Sequence, residues 1–281
     1  MNTISAVVVL YNPSNDVLVN IKTYSNQVDR VYAIDNSERA NLDFVEKLKY
    51  ISNIVYIYNN SNLGIAAALN IAAISAIKDG YSYLLTMDQD SSVPENMVSI
   101  LFAKMSDKVG IVAAEHFDEK VHNIPQEIST EEILFTMTSG NLLNLSAYSL
   151  CGKFLEELFI DHVDHEYCLR LNSNCYKVIK TNETFVFHRL GDVVKKKFLK
   201  YTIWSTNHSP VRLYYRFRNR FFVSDIYKKK FPEYPKIDRK NMFLELLGIY
   251  LYEQDLFEKT KMIVKGYIHY RKKKLGKFFE K

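Results

Sequence analysis

Asp88 and Asp90 stand two residues apart in the stretch YLLTMDQDSS, residues 83–92. The apolar run Leu84–Met87 reads as a buried strand, and the polar residues after it as a loop. Side chains two apart in extended backbone point the same way, so both carboxylates face one site. Two like charges held close are costly unless a positive group joins them. A divalent cation with a polyphosphate meets that demand, because hard cations take carboxylate and phosphate oxygens. The plain alternative is a strand end followed by an Asp/Ser turn.

The flanking elements decide what the pair can face. Ile4–Tyr11 is a Val-rich run closed by Asn12-Pro13, which predicts a buried strand and its stop. Ser14–Gln27 carries Val17, Leu18, Ile21 and Tyr24 on one face and predicts a helix. Arg30–Ile34 predicts a second strand ending in Asp35-Asn36-Ser37, Leu42–Tyr50 a short helix, and Ile54–Tyr58 a third strand. Gly64 opens an Ala-rich helix, Ile65–Lys78, closed by Asp79-Gly80. Pro94–Ser106 predicts a helix and Gly110–Ala114 a strand. This alternation implies an α/β fold with a doubly wound, mostly parallel sheet. Such sheets bind ligands at the carboxyl ends of their strands. Those ends carry Tyr11-Asn12, Asp35-Asn36-Ser37 and Asp88-Gln89-Asp90. There is no GxGxxG or P-loop lysine motif, so neither a dinucleotide fold nor an ATPase is supported.

The middle of the chain is less regular. Residues 115–133 read as a polar loop, and Leu134–Leu145 as strand, turn and strand. Phe159–Leu171 holds Asp161, Asp164 and Glu166, and Tyr176–Lys180 with Thr184–His188 reads as a closing pair of strands. Ser209–Lys230 predicts a helix with Tyr214, Tyr215, Phe217, Phe221 and Phe222 among four arginines, and two more helices follow. The expected organisation is a domain over 1–205 with a helical appendage over 206–281.

With 281 residues and 47% hydrophobic content the chain can bury a real core. The net charge of +5 is unevenly placed, with eight Lys/Arg against one Glu from Lys261 to Lys281. Three cysteines without metal-type spacing imply a reducing compartment and ordinary buried thiols. No basic region precedes Ile4–Leu10, which reads as a strand and not a signal peptide. No apolar run approaches the roughly 20 residues that span a bilayer. The expectation is a cytoplasmic protein, soluble or peripheral on the inner face of the membrane. Aromatic–arginine mixing without a recognised binding motif does not point to nucleic acid.

Seven segments in order complete a pattern: VVVLYNPS (7–14), AIDNS (33–37), NLGIAAALN (62–70), MDQDSS (87–92), VDHEYCLRL (163–171), FHRLGD (187–192) and HSPVRLYYRFRNR (208–220). Together they resemble the nucleotide-sugar glycosyltransferases of family 2, with the GT-A fold, and especially the rhamnosyltransferases. The resemblance spans roughly Ile4 to Phe222. It implies that Tyr11, with Asn12 beside it, helps hold the base and that Asp35 accepts from the pyrimidine ring N–H. It places Asn62, Gly64 and Asn70 under the nucleotide, Asp88 on the ribose side and Asp90 on a Mg or Mn ion. Asp164 matches the catalytic base, and His188 a histidine that reaches the metal or diphosphate. Val163 stands where the family has a Glu, which leaves Asp161 open beside Asp164 as the base. Plainer roles stand beside these: helix caps for Asn62 and Asn70, a core histidine for His188, and an exposed acid and a helix-start charge for Asp161 and Glu166.

The implied activity is inverting transfer from dTDP-L-rhamnose to a hydroxyl of a cell-surface polysaccharide or lipid-linked oligosaccharide precursor. The alternatives are a UDP-sugar hexosyl- or galactofuranosyltransferase, or a non-catalytic nucleotide-sugar-binding protein. The basic tail, with Met262, Ile263, Gly266, Tyr267 and Tyr270 at helical steps and Phe278 and Phe279 after them, reads as an interfacial membrane helix.

Overall fold

A computed structural model describes residues 3–117, 127–188, 194–198, 201–205 and 207–279. The chain divides into two compact units, residues 1–156 with 164–189, and residues 157–163 with 190–281.

In the first unit, β1 (Ile4–Leu10), β2 (Arg30–Asp35), β3 (Ile54–Tyr58) and β4 (Tyr83–Asp88) are parallel, in the spatial order β3-β2-β1-β4. Ala6, Val7 and Val8 are fully buried, as expected of a central strand covered on both faces. The connecting helices are α1 (Asp16–Ser25), α2 (Leu42–Leu48) and α3 (Ile65–Lys78). Ile21 on α1 is fully buried, which contributes about 1.5–3 kcal/mol. The buried side of α3 is Ala66, Ala68, Ala72, Ala73 and Ala76, and such small side chains let a helix lie close on a sheet. Gly64 starts α3 at φ 87°, a conformation that only glycine adopts at no steric cost.

Beyond β4 the structure departs from the expectation. β8 (Asn141–Asn144) runs antiparallel between β4 and β6 (Val109–Phe117). The region 134–145 therefore holds one strand, not two, followed by α5 (Leu145–Cys151). β6 extends three residues further than expected, and β7 (Thr130–Glu132) lies in the region read as loop. The expected closing pair of strands is one strand, β9 (Lys177–His188), parallel to β6. Its polar centre looked like a turn, but a register shift against Ala114/Glu115 absorbs it. Short β5 (Ser91–Ser92) pairs with the end of β9. The helix expected from Pro94 is shorter, as α4 (Met97–Ala103). α6 (Val163–Ser173) precedes β9.

The second unit contains the hairpin β10 (Val194–Phe198) and β11 (Tyr201–Ser205), then α7 (Pro210–Tyr227), α8 (Tyr234–Tyr252) and α9 (Leu256–Arg271). The compact units divide at 189/190, and the hairpin falls in the same unit as the helices. Ser205 Oγ donates to Glu253 at 3.0 Å, and Glu253 also binds Lys259, itself bonded to Asn207. α9 crosses α7 at Gly266, where a Cβ would stand 2.6 Å from the Tyr214 carbonyl oxygen.

Arg218 and Arg220 of α7 turn inward. Arg218 is fully buried. It donates to the carbonyls of Glu157, Leu158 and Gly276, and lies 5.3 and 5.0 Å from the Tyr214 and Tyr215 rings. Asn219 donates to the carbonyls of Leu158, Ile160 and Asp161. The segment so held contains Phe159, Asp161 and His162 at positive φ, each a local cost of about 1–3 kcal/mol that these bonds offset. Arg220 pairs with Asp238 and Glu245, and Arg216 with Glu245.

Candidate active site

The parallel register brings the polar strand ends together. Leu10 on β1 is level with Asp35 on β2, and Val9 with Asp88 on β4. Asp35 and Asp88 thus flank the end of β1, roughly 10 Å apart across two strand spacings.

Asp35 is fully buried. Its Oδ1 accepts from Ser37 N–H at 2.8 Å and Ser37 Oγ at 2.5 Å, and its Oδ2 from the Tyr56 hydroxyl at 2.6 Å. A carboxylate offers about four acceptor positions, so roughly one remains. Burial first, and then the bond to Asp35, push the Tyr56 phenol well above its ordinary value. Ser37 Oγ in turn accepts from Asn12 N–H at 2.7 Å. Asn12 sits at φ 47°, where Asn is tolerated. Asn36 spans β2, β3 and α3, donating to the Gly64 carbonyl and accepting from Asn59. Asn62 Oδ1 accepts from Gly64 N–H at 3.0 Å, a local turn that sets the start of α3.

Asp88 is half-buried, Asp90 is exposed, and Asp88 N–H donates to Ser139 Oγ at 3.1 Å. Their loop is carried by a polar edge of α1 and by Gln27, two residues past its end. Asn20 donates to the Gln89 carbonyl at 2.9 Å, and Thr23 Oγ1 accepts from Val93 N–H at 3.1 Å. Gln27 donates to the Pro94 carbonyl and accepts from Val98 N–H. Sequence reasoning missed these residues; the signal was polar side chains at positions 20, 23 and 27, the i, i+3, i+7 spacing of one helix edge. Tyr24 lies between them, fully buried, and burial followed by the Asp88 charge pushes its phenol well above its ordinary value.

Asp164 lies in the first turn of α6, and its Oδ1 accepts from His165 N–H at 2.8 Å. It lines a cavity of about 10 Å³ with Thr86, Thr138, Asn141, Tyr167 and Cys168. Thr86 is two residues before Asp88 on β4, so Asp164 reaches the strand that ends in the acidic loop. Burial pushes the Cys168 thiol up to about 12, Asp164 and Glu166 adding to it. Cys168 is therefore an inert structural thiol, whereas Cys175 is exposed, contrary to the expectation of buried thiols.

Asp161 is not the exposed acid that was expected. Its side chain is 9% exposed and pairs with Arg212 at 3.4 Å and Arg216 at 3.6 Å. Both ion pairs hold the Asp161 side chain against α7. Glu166 is likewise buried and ion-paired, with Arg170, which also donates to the Lys153 carbonyl.

Two other expected residues sit differently. Asn70 is 2% exposed and uses its whole amide within the protein. It donates to the Phe154 carbonyl and Glu156, and accepts from Phe154 N–H and the Tyr148 hydroxyl. With two donors and two acceptor positions occupied, it positions residues 148–156 and has nothing left for a ligand. His188 pairs by backbone with Ser91, beside the acidic loop; its side chain lies outside the described residues.

Among the described residues no group of three or more His, Cys, Asp and Glu is disposed to hold a metal. Asp88 and Asp90 supply hard oxygens only. That donor set fits Mg²⁺ or Mn²⁺, which are bound by one or two carboxylates together with substrate phosphates.

The family model for glycosyl transferase family 2 matches residues 5–155, which include the ends of β1, β2 and β4. The chain belongs to that family. A glycosyl transferase of Shigella flexneri, "dTDP-rhamnosyl transferase RfbF", is 30% identical over 247 residues, covering 79% of this chain and 80% of that protein. S. aureus TarS 1–349 is similar in structure, with TM-score 0.54 and 15% identity over 67% of this chain and 60% of that one. GalNAc-T7 solved with UDP, GalNAc and Mn²⁺ gives TM-score 0.62 and 13% identity over 96% of this chain and 56% of that one. The chain thus spans a little over half the length of these two structures. The shared fold is GT-A, and this glycosyl transferase family 2 enzyme has a helical C-terminal part.

Proposed function

We propose that the enzyme transfers L-rhamnose from dTDP-L-rhamnose, with inversion, to a hydroxyl of a cell-surface polysaccharide or lipid-linked oligosaccharide precursor. The observation that carries the donor is the 30% identity to a dTDP-rhamnosyl transferase along most of both chains. The geometry agrees with a nucleotide diphosphate laid across the strand ends. Tyr11 and Asn12 would meet the base, and the remaining acceptor position of Asp35 would take the ring N3–H. Gly64 and Asn62 would lie beneath the nucleoside, with Asn70 supporting them indirectly. Asp88 would face the ribose, and Asp90, with His188, the diphosphate end.

A Mg or Mn ion bound at Asp90 would neutralise the charge of the departing nucleoside diphosphate. Asp164 would take the proton of the acceptor hydroxyl as its oxygen bonds the anomeric carbon and the carbon–diphosphate bond breaks. The pairing of Asp161 with two arginines supports Asp164 in this role.

A UDP-sugar donor is the second reading, because TarS has been solved with UDP-GlcNAc on the same fold. A thermal-shift comparison separates the two, since a ligand that binds only the folded state raises its apparent stability. With Mn²⁺ present, dTDP-rhamnose should raise Tm more than UDP-glucose or UDP-GlcNAc does. Equal or reversed shifts would favour the UDP-sugar reading.

For the acceptor side we propose peripheral binding to an anionic, cytoplasmic membrane face. Among the described residues no helix is long and apolar enough to cross a membrane. The expected interfacial row is partly spent inside the unit, with Met262 and Gly266 buried and Phe278 packed on Tyr214. Phe257, Val264, Tyr267, Ile268 and Phe279 remain exposed, alongside Lys261 and residues 271–274. Each basic residue near an anionic leaflet contributes about 1 kcal/mol. The full chain should co-sediment with anionic vesicles at low salt and release at high salt. Full-length protein that stays in the supernatant at low salt would redirect the search to a soluble acceptor.

A further inference from the structure

Main-chain pairing between β1 and β4 stops at Val9 and Asp88. The side chain of Gln89 continues it. Its Oε1 accepts from Tyr11 N–H at 2.9 Å, and its Nε2 donates to the Tyr11 carbonyl at 3.2 Å. An amide side chain here reproduces the two-way pairing of a peptide group, one residue past the end of the ladder. On the other side the Gln89 carbonyl is held by Asn20 at 2.9 Å.

The bonds continue from there along the sheet edge. Residue 12, next in the chain, donates to Ser37, and Ser37 donates to Asp35, which also accepts from Tyr56. One belt of hydrogen bonds thus runs from the acidic loop after β4, past the end of β1, to the end of β2 and the middle of β3. Gln89 is its link between the loop bearing Asp90 and the ends of β1 and β2.

We propose that Gln89 is a positioning residue that fixes the acidic loop against the end of β1, so that diphosphate and base sites of one donor are held at matched spacing. This rests on the nucleotide-sugar reading of the site. The middle residue of the acidic motif then touches neither metal nor donor. Its contribution is preorganisation: a ligand spanning both ends does not have to order the loop itself.

The prediction concerns coupling and not fold. Gln89→Glu keeps the size but replaces the donor to the Tyr11 carbonyl with an acceptor. Gln89→Met keeps the volume and removes both bonds. The measurement is the calorimetric Kd of dTDP with and without Mn²⁺, alongside Tm of the ligand-free protein. In wild type Mn²⁺ should tighten dTDP binding. In both variants that gain should fall about tenfold, the loss of one or two hydrogen bonds. Metal-free Kd should stay within about twofold of wild type by the same scale.

Either variant keeping the wild-type gain would overturn the proposal. So would an equal loss of affinity with and without Mn²⁺, because Gln89 would then serve the fold alone. A wild type whose dTDP affinity ignores Mn²⁺ would instead overturn the metal-assisted donor reading, and that failure is visible before any variant is made.

Discussion

Asp164→Asn is expected to lower sugar transfer by about 10²–10⁴-fold, the usual contribution of a positioned general base. Donor affinity should stay within about twofold, because the amide keeps the shape and loses only proton acceptance. Asp164 begins α6 and lines a small cavity with Thr86, which leads directly to Asp88. Its neighbour Asp161 is committed to Arg212 and Arg216, so it cannot readily take over. Steady-state rates and dTDP titrations on one preparation check both halves of the claim. An Asn variant with near wild-type turnover would remove Asp164 from the chemistry.

Removal of the proposed metal ligand has the second-largest expected effect. Asp90→Ala should weaken dTDP-rhamnose binding in Mn²⁺ by about tenfold or more, since a divalent cation between carboxylate and diphosphate loses its protein anchor. Chelation of wild type with EDTA should reproduce that loss, and Mn²⁺ should restore the wild type but not the variant. Asp90 is exposed, so its replacement should leave Tm of the ligand-free protein nearly unchanged. Full-rate transfer by chelated wild type would end the metal assignment.

The first half of the fold was legible because local signals agreed. Val and Ile runs ended in Asn, Asp and Gly at each strand terminus, and the Ala-rich helix Ile65–Lys78 lies where its sequence placed it. What stayed hidden depended on partners distant in sequence. β8 enters the sheet antiparallel between β4 and β6, a placement no short window contains. The polar break in β9 reads as a turn locally, yet it is a register shift supported by Lys104–Glu183.

The site divides in the same way. Asp35, Asp88, Asp90 and Asp164 stand out as candidates in the sequence because a carboxylate carries its chemistry in its side chain. Asn70 matched the pattern under the nucleotide, but only its four internal bonds reveal a structural task. Gln89, Asn20 and Thr23 act through main-chain groups of other segments, so their residue types announce nothing. Arg218 and Asn219 lie within the segment 208–220 that carries the resemblance; in the fold they hold the backbone at 157–161.

The central claim is that this strand edge cleaves a dTDP-sugar with the help of a divalent ion and Asp164. It is tested most directly by following dTDP release from dTDP-rhamnose by ³¹P NMR in the presence of a lipid-linked saccharide extract that supplies the acceptor hydroxyl, with Mn²⁺ and with EDTA, for wild type and Asp164→Asn. Wild type should release dTDP only with Mn²⁺, and Asp164→Asn should bind the donor yet release dTDP at a small fraction of that rate. Donor that stays intact with wild type and Mn²⁺, or equal release from both proteins, would contradict the account.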